Sequence, residues 1–142
     1  MNFQKVKTAQ VANRETNDCS VKAVSIACDV SYSVAHKALR LQGRPHGKGV
    51  NMLQIIRAVV SIGYSMERVV FRAKTVATIG RDSNLYNGYY IANVRGHVAA
   101  VVNGKVEDWT DGRRHKLLAV YKIKPVATRK ERRAMINKVM AL

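Results

Sequence analysis

Thr16-Asn17-Asp18-Cys19-Ser20-Val21-Lys22-Ala23-Val24-Ser25-Ile26-Ala27-Cys28 decides how this chain is read. Val21, Ala23, Val24, Ala27 and Cys28 recur at helical spacing, and Asp18 ahead of them is a good N-cap residue. Cys19 therefore falls in the first turn of a helix. The unpaired N–H groups and the positive dipole end there favour a thiolate, the form in which cysteine attacks a substrate or binds a metal. Far downstream, Gly96-His97-Val98-Ala99-Ala100-Val101-Val102 places a histidine at the mouth of a strand. A thiol at a helix N-terminus and an imidazole on a later strand form the pairing that cysteine hydrolases need.

A carboxylate to orient that imidazole follows from the next turn. Asn103-Gly104 is the preferred pair for a two-residue type I′ hairpin. With that turn, Val102 faces Lys105, Val101 faces Val106 and Ala99 faces Asp108. Strand alternation puts His97, Ala99 and Val101 on one sheet face with Val106, Asp108 and Thr110, and turns Glu107 and Trp109 away. Asp108 becomes the diagonal neighbour of His97, about 7–8 Å away at the backbone. A three-residue loop would put Asp111 opposite His97 instead. Cys19 is then the candidate nucleophile, His97 the base and later the acid, and Asp108 the orienter. An oxyanion hole is also required. The Cys19 backbone N–H is one donor, and the Asn13 side-chain amide, shortly upstream, is the expected second.

Working outward, residues 1–17 read as a strand or extended lead-in anchored by Phe3, Val6, Ala9 and Val11. Helices are expected over about 18–29, 33–42 and 51–62. Ser31 or Ser33 caps the second, and Gly43 and Gly63 act as stops. Between the second and third lies the basic loop Gly43-Arg44-Pro45-His46-Gly47-Lys48-Gly49. It lacks the spacing and the Lys-Ser/Thr ending of a phosphate-binding P-loop. Ser65–Phe71 reads as a strand, and Thr75–Ile79 as a short helix in an ambiguous stretch. Strands then follow over 89–94, 97–102, 105–109 and 117–123. Thr128-Arg129-Lys130-Glu131 is a capping box that opens a last helix, with Met135, Ile136, Val139 and Met140 as its apolar stripe. Helices first and antiparallel strands after them define an α+β fold. Residues 1–124 read as one domain and 125–142 as a basic amphipathic helix.

The chain has 142 residues, of which 47% are hydrophobic, enough for a real core. It contains no apolar run long enough for a membrane span and no signal-like N-terminus, so no membrane partner is expected. Cys19 and Cys28 lie on one helix about 13 Å apart, too far to bridge. Two free thiols suit a reducing compartment, so a cytoplasmic location is expected. No C-x2–4-C or H-x3–5-H pair is present, and neither a metal nor a cofactor is expected. His36, in the second helix, reads as packing or surface, and His115, among Arg113, Arg114 and Lys116, as solvated. His46 is placed to touch a substrate or phosphate. Lys and Arg number 25 against 9 Asp and Glu, a formal charge of +16. Nucleic acid or an acidic protein fits such a charge as a partner, with the simpler alternative of a solvated basic surface.

Asn13-Arg14-Glu15-Thr16-Asn17-Asp18-Cys19-Ser20-Val21-Lys22-Ala23 resembles the active-site helix of papain-like cysteine peptidases. The nearest kind is the bacteriocin-processing (C39-like) group with its small tailed-phage relatives. The similarity continues through Ser31–His36, Gly47–Val50, Asn51–Tyr64, Gly96-His97 and Asp108, and covers roughly residues 10–123. It implies a papain-like fold and acyl transfer through Cys19, with a peptide or protein as substrate. For a phage-encoded chain it implies residence in the host cytoplasm or the virion. Asn13 stands where that family has Gln, and Ser20 where it has Gly. On those two departures rests the alternative, a catalytically weakened domain that binds nucleic acid or an acidic protein.

Overall fold

The computed structural model describes residues 1–142. Helices α1 (Phe3–Ala12), α2 (Cys19–Ala27), α3 (Tyr32–Leu41) and α4 (Met52–Ser61) come first, and β1 (Tyr64–Arg68) follows. Two short 3-10 segments, Val76–Arg81 and Ser83–Leu85, lead into β2 (Tyr89–Val94), β3 (His97–Val102), β4 (Lys105–Glu107) and β5 (Ala119–Pro125). Helix α5 (Arg129–Ala141) ends the chain. The strands form one antiparallel sheet in the order β1-β5-β2-β3-β4. The architecture is α+β. No helix is long and apolar enough to cross a membrane.

Helix α2 is the centre of the fold. From Ser20 to Ala27 only Lys22 escapes burial, and the small residues Ala23, Ser25 and Ala27 let neighbouring backbones come close. It packs on β3 and against α3. The core there joins Val21, Val24 and Ile26 to Leu39, Ile55, Val59 and the sheet residues Ile91, Val98 and Ala100. The opposite sheet face is covered by the 3-10 segments, which pack Val76, Ile79 and Leu85 onto Tyr90, Val101 and Val120. Strand β3 is therefore buried on both faces, which explains its unbroken apolar run. Only its two end residues, His97 and Val102, are partly exposed.

The N-terminal segment differs from expectation. Residues 3–12 are helical, with the Asn2 side chain accepting from the Lys5 N–H as N-cap. Phe3, Val6 and Ala9, taken as anchors of an extended segment, are spaced three apart and lie along one helix face, and only Val6 is fully buried. Val11, a fourth expected anchor, is 74% exposed. A helix this polar carries little apolar period for a sequence pattern to show. Glu107, at the end of β4, accepts from the Phe3 N–H at 3.1 Å and sets a negative charge at the helix start.

Other caps follow the local sequence. Ser31 accepts from the Val34 N–H, and Asn51 with Gln54 and Thr128 with Glu131 form capping boxes. Asp18 holds the N-cap position of α2 but makes no capping bond. Its carboxylate is buried, taking the Tyr32 hydroxyl at 2.7 Å and the Lys22 ammonium at 3.3 Å. Helix α5 does not stand apart as a module. It packs on α3 and α4, buries Val139 and seats Arg132 over the Tyr64 ring at 5.2 Å.

Candidate active site

Cys19 opens α2, His97 opens β3 and Asp108 follows the last residue of β4. Their convergence follows from the hairpin between the two strands. Asn103 and Gly104 both adopt positive φ, 49° and 81°, as a type I′ turn requires. Val102 then pairs with Lys105, Val101 with Val106 and Ala100 with Glu107. This register carries Asp108 to the imidazole, and His97 Nε2 lies 2.7 Å from Asp108 Oδ2. The same oxygen accepts from the Thr110 N–H at 3.1 Å and the Thr110 hydroxyl at 2.6 Å. Asp108 and Thr110 are both buried. Three contacts converge on one Asp108 oxygen, which holds the carboxylate in place and fixes the imidazole in turn. Asp111 is exposed and sits in the turn beyond.

Cys19 and His97 act on one another across the cleft. Burial raises the Cys19 pKa. Hydrogen bonding to His97 and to the Val98 backbone, with the charge of His97, outweighs burial and brings it below the ordinary thiol value. Burial pulls His97 down, but hydrogen bonds to Asp108 and Cys19 prevail and raise it to about 9. Both shifts favour one state, a thiolate beside an imidazolium. Cys28 has no such partner, and burial alone pushes its thiol well up. The two cysteines therefore differ in chemistry although they share a helix.

A cleft of about 420 Å³ opens over the pair and is lined by Gln10, Asn17, Cys19, Gly49, His97 and Trp109 among others. Asn13 is not among its walls. It is exposed, ends α1, and donates its amide to the Ala9 carbonyl at 2.8 Å. Gln10, one turn earlier on α1, lines the cleft instead and donates its amide to the Glu15 carbonyl at 3.2 Å. Asn13 in an extended segment would point forward, whereas on a helix end it folds back to cap. Trp109, expected on the opposite face, lies with its ring 5.2 Å from the His97 ring. Strand β4 stops at Glu107, so strand alternation no longer governs Trp109. His115 is half-buried rather than solvated and meets the Trp109 ring edge-on at 5.5 Å.

Ser20 does not crowd the main cleft. Its hydroxyl is buried without a partner in a side pocket of about 210 Å³ walled by Val50, Met52, Ile55 and Val98. Sequence reasoning missed Gln10, turned Trp109 away from the site, and placed Thr110 on the right face without a role. Thr110 alone left a usable signal, since Asp-x-Thr can close an Asx turn onto its own carboxylate. No family model, curated protein or solved structure matches the chain. Fold and site together define an α+β protein with a Cys–His–Asp cluster at the mouth of a cleft.

Proposed function

We propose that this protein is a papain-like thiol hydrolase, most simply a peptidase, that cleaves an amide by acyl transfer through Cys19. The observation that carries this reading is that Cys19, at the start of α2, and His97 line one cleft, with His97 held at 2.7 Å by the buried Asp108–Thr110 unit; the lowered thiol and raised imidazole agree with it. In this mechanism the Cys19 thiolate attacks the scissile carbonyl carbon. Charge developing on the oxygen is met by the Cys19 N–H and the Gln10 amide. The His97 imidazolium gives its proton to the departing amine, leaving a thioester on Cys19 and a neutral imidazole. Water then adds to the thioester, with His97 taking its proton, and the carboxylic acid leaves as the thiolate re-forms. The side pocket above Ser20 takes a small apolar side chain next to the scissile bond.

Alkylation of Cys19 by iodoacetamide tests the pair. The Cys19 reaction should persist to lower pH than that of a free thiol, while Cys28 stays inert. Trp109, the sole tryptophan, gives a second readout, because protonated imidazole quenches a neighbouring indole. In a His115→Ala background its emission should change with a midpoint near pH 9, as His97 loses its proton. Cys19→Ser should move that midpoint down, because the thiolate that supports the imidazolium is gone. A Cys19 that reacts with the pH dependence of a free thiol, or a midpoint that ignores Cys19→Ser, would sink this reading.

A second reading, a basic binding protein, is favoured by the distribution of the acidic residues. Glu15, Asp18, Asp82 and Asp108 are buried and bonded internally, so the exposed surface is more cationic than the composition indicates. On α5, Arg129, Lys130 and Arg133 are exposed, while Arg132 is engaged with Tyr64 and the Ala127 carbonyl. If nucleic acid is the partner, replacing the three exposed residues by Gln should reduce the salt slope of binding by up to about three. Absence of DNA or RNA binding at ~50 mM salt would leave α5 as a solvated face.

A further inference from the structure

Outside the Cys–His–Asp cluster, the densest polar construction in the molecule surrounds Glu15, a carboxylate only 4% exposed. Its Oε2 accepts from Arg44 Nη1 at 3.0 Å and lies 2.7 Å from His36 Nε2 and 3.1 Å from His46 Nδ1. Its Oε1 accepts from the Thr16 N–H at 3.0 Å and the Gly47 N–H at 2.7 Å. Arg44 is itself 2% exposed, and its second guanidinium nitrogen donates to the Thr16 carbonyl at 3.3 Å and the Asn17 carbonyl at 3.5 Å. The Asn17 amide completes the seam by donating to the Gly47 carbonyl at 3.0 Å.

Glu15, His36 and His46 bring their ligand-type atoms within 4.8 Å of one another, the spacing of a metal site. The donors already in place argue against that use. Oε2 is shared with a buried guanidinium, so a divalent cation there would face a fixed positive charge with little water to screen it. The arrangement is instead complete as an anionic anchor. Apart from the His36 contact from α3 and the local Thr16 N–H, its bonds run between two stretches of chain, Arg14–Asn17 just ahead of Cys19, and Arg44–Gly47 in the glycine-rich loop. Two residues beyond Gly47, Gly49 lines both the cleft and the side pocket. Gly47 has φ +77°, and a Cβ there would lie 3.3 Å from Thr16 Oγ1, so glycine suits both the left-handed backbone and the close approach of the loop.

We propose that Glu15 is a positioning residue that fixes the Gly47–Gly49 wall of the cleft and thereby sets affinity for an extended peptide, without acting on the Cys19–His97 pair. This rests on the thiol-hydrolase reading. An extended ligand needs the wall in place, whereas a reagent of a few atoms needs only the thiolate. In Glu15→Gln one acceptor oxygen becomes an NH2 that meets N–H donors head-on, so at least two of the bonds are lost.

The test compares two alkylating agents on the same sulfur, iodoacetamide and a tetrapeptidyl chloromethyl ketone, each displacing halide from carbon. Hydrogen exchange at the Gly47 amide is followed in the same proteins. For Glu15→Gln, the iodoacetamide rate should stay within about twofold and the peptidyl rate should fall about tenfold, the value of roughly one to two hydrogen bonds. Exchange at Gly47 should accelerate by about a hundredfold. His46→Ala guards against a folding failure, because that side chain is 60% exposed and its loss leaves Arg44 on Glu15. It should show the same pattern at about a threefold loss, one weak contact. Equal slowing of both reagents, or unchanged peptidyl labelling, overturns the positioning role. Failure of both reagents on the unmodified protein overturns the thiol-hydrolase reading and with it the effect on affinity. Unchanged Gly47 exchange overturns the anchor itself.

Discussion

Cys19→Ala and Cys19→Ser should each lower amide hydrolysis by about 10⁴-fold or more, as loss of a nucleophile does in other acyl-transfer enzymes. Both should leave thermal unfolding nearly unchanged, because Cys19 is only partly buried and lies at the helix start. Serine cannot stand in for the thiol. Its hydroxyl is far less acidic, and the imidazolium that stabilises a thiolate does not ionise it. Cys28→Ala should behave in the opposite way. It removes a fully buried sulfur in the core and should cost about 1 kcal/mol of stability while leaving kcat in place. Peptide turnover and urea unfolding of the three variants, measured side by side, decide the matter. Loss of activity in folded Cys28→Ala equal to that in Cys19→Ala would contradict the assignment.

Arg44→Met should be the most destabilising single change near the cleft. The guanidinium and the Glu15 carboxylate are both buried, and removing one leaves the other an uncompensated charge, at a cost of about 3–5 kcal/mol. The pH dependence has a definite sign. Burial raises the Glu15 pKa, but Arg44, His36 and the Thr16 and Gly47 N–H groups outweigh it and hold it at about 2, against an ordinary 4.5. A carboxylate with a lowered folded pKa stabilises the fold above its unfolded value and loses that contribution as pH falls. Glu15 therefore contributes about 3 kcal/mol at neutral pH, lost between about pH 4.5 and 2. In Arg44→Met, Glu15 can protonate at higher pH, so the gap between variant and parent should narrow as the solution is acidified. Urea midpoints at intervals from pH 7 to pH 2 would show it. A gap that stays constant with pH would mean that packing of the Arg44 side chain, not its charge, is the main loss.

Local chemistry sufficed for some of these features. Asn103-Gly104 specifies a two-residue turn because both positions need positive φ. From that turn the register follows by counting, up to the hydrogen bond between His97 and Asp108. The placement of Cys19 in the first turn of a helix, the Ser31 cap and the boxes at Asn51 and Thr128 are likewise short-range consequences of side chains near their own backbone. The succession of helices followed by antiparallel strands was enough for the α+β class.

Long-range partners were a different matter. Helix α1 is too polar to announce itself, and its existence decides that Gln10 rather than Asn13 borders the cleft. Trp109 reaches His97 because β4 ends at Glu107, a boundary set by packing beyond the hairpin. Asp18 looks like a helix cap in the sequence, yet the buried Tyr32 hydroxyl and Lys22 claim its carboxylate. Glu15 carries no local signal, since its partners Arg44, His36 and Gly47 are 21 to 32 residues away. A short polar side chain bonds whatever the fold brings within 3 Å, and only the tertiary structure determines what that is. The chain by itself determined its turns, its caps and the thiol's place on a helix. Tertiary structure decided which groups surround that thiol, because burial removes water and leaves each polar atom to the partners that packing supplies.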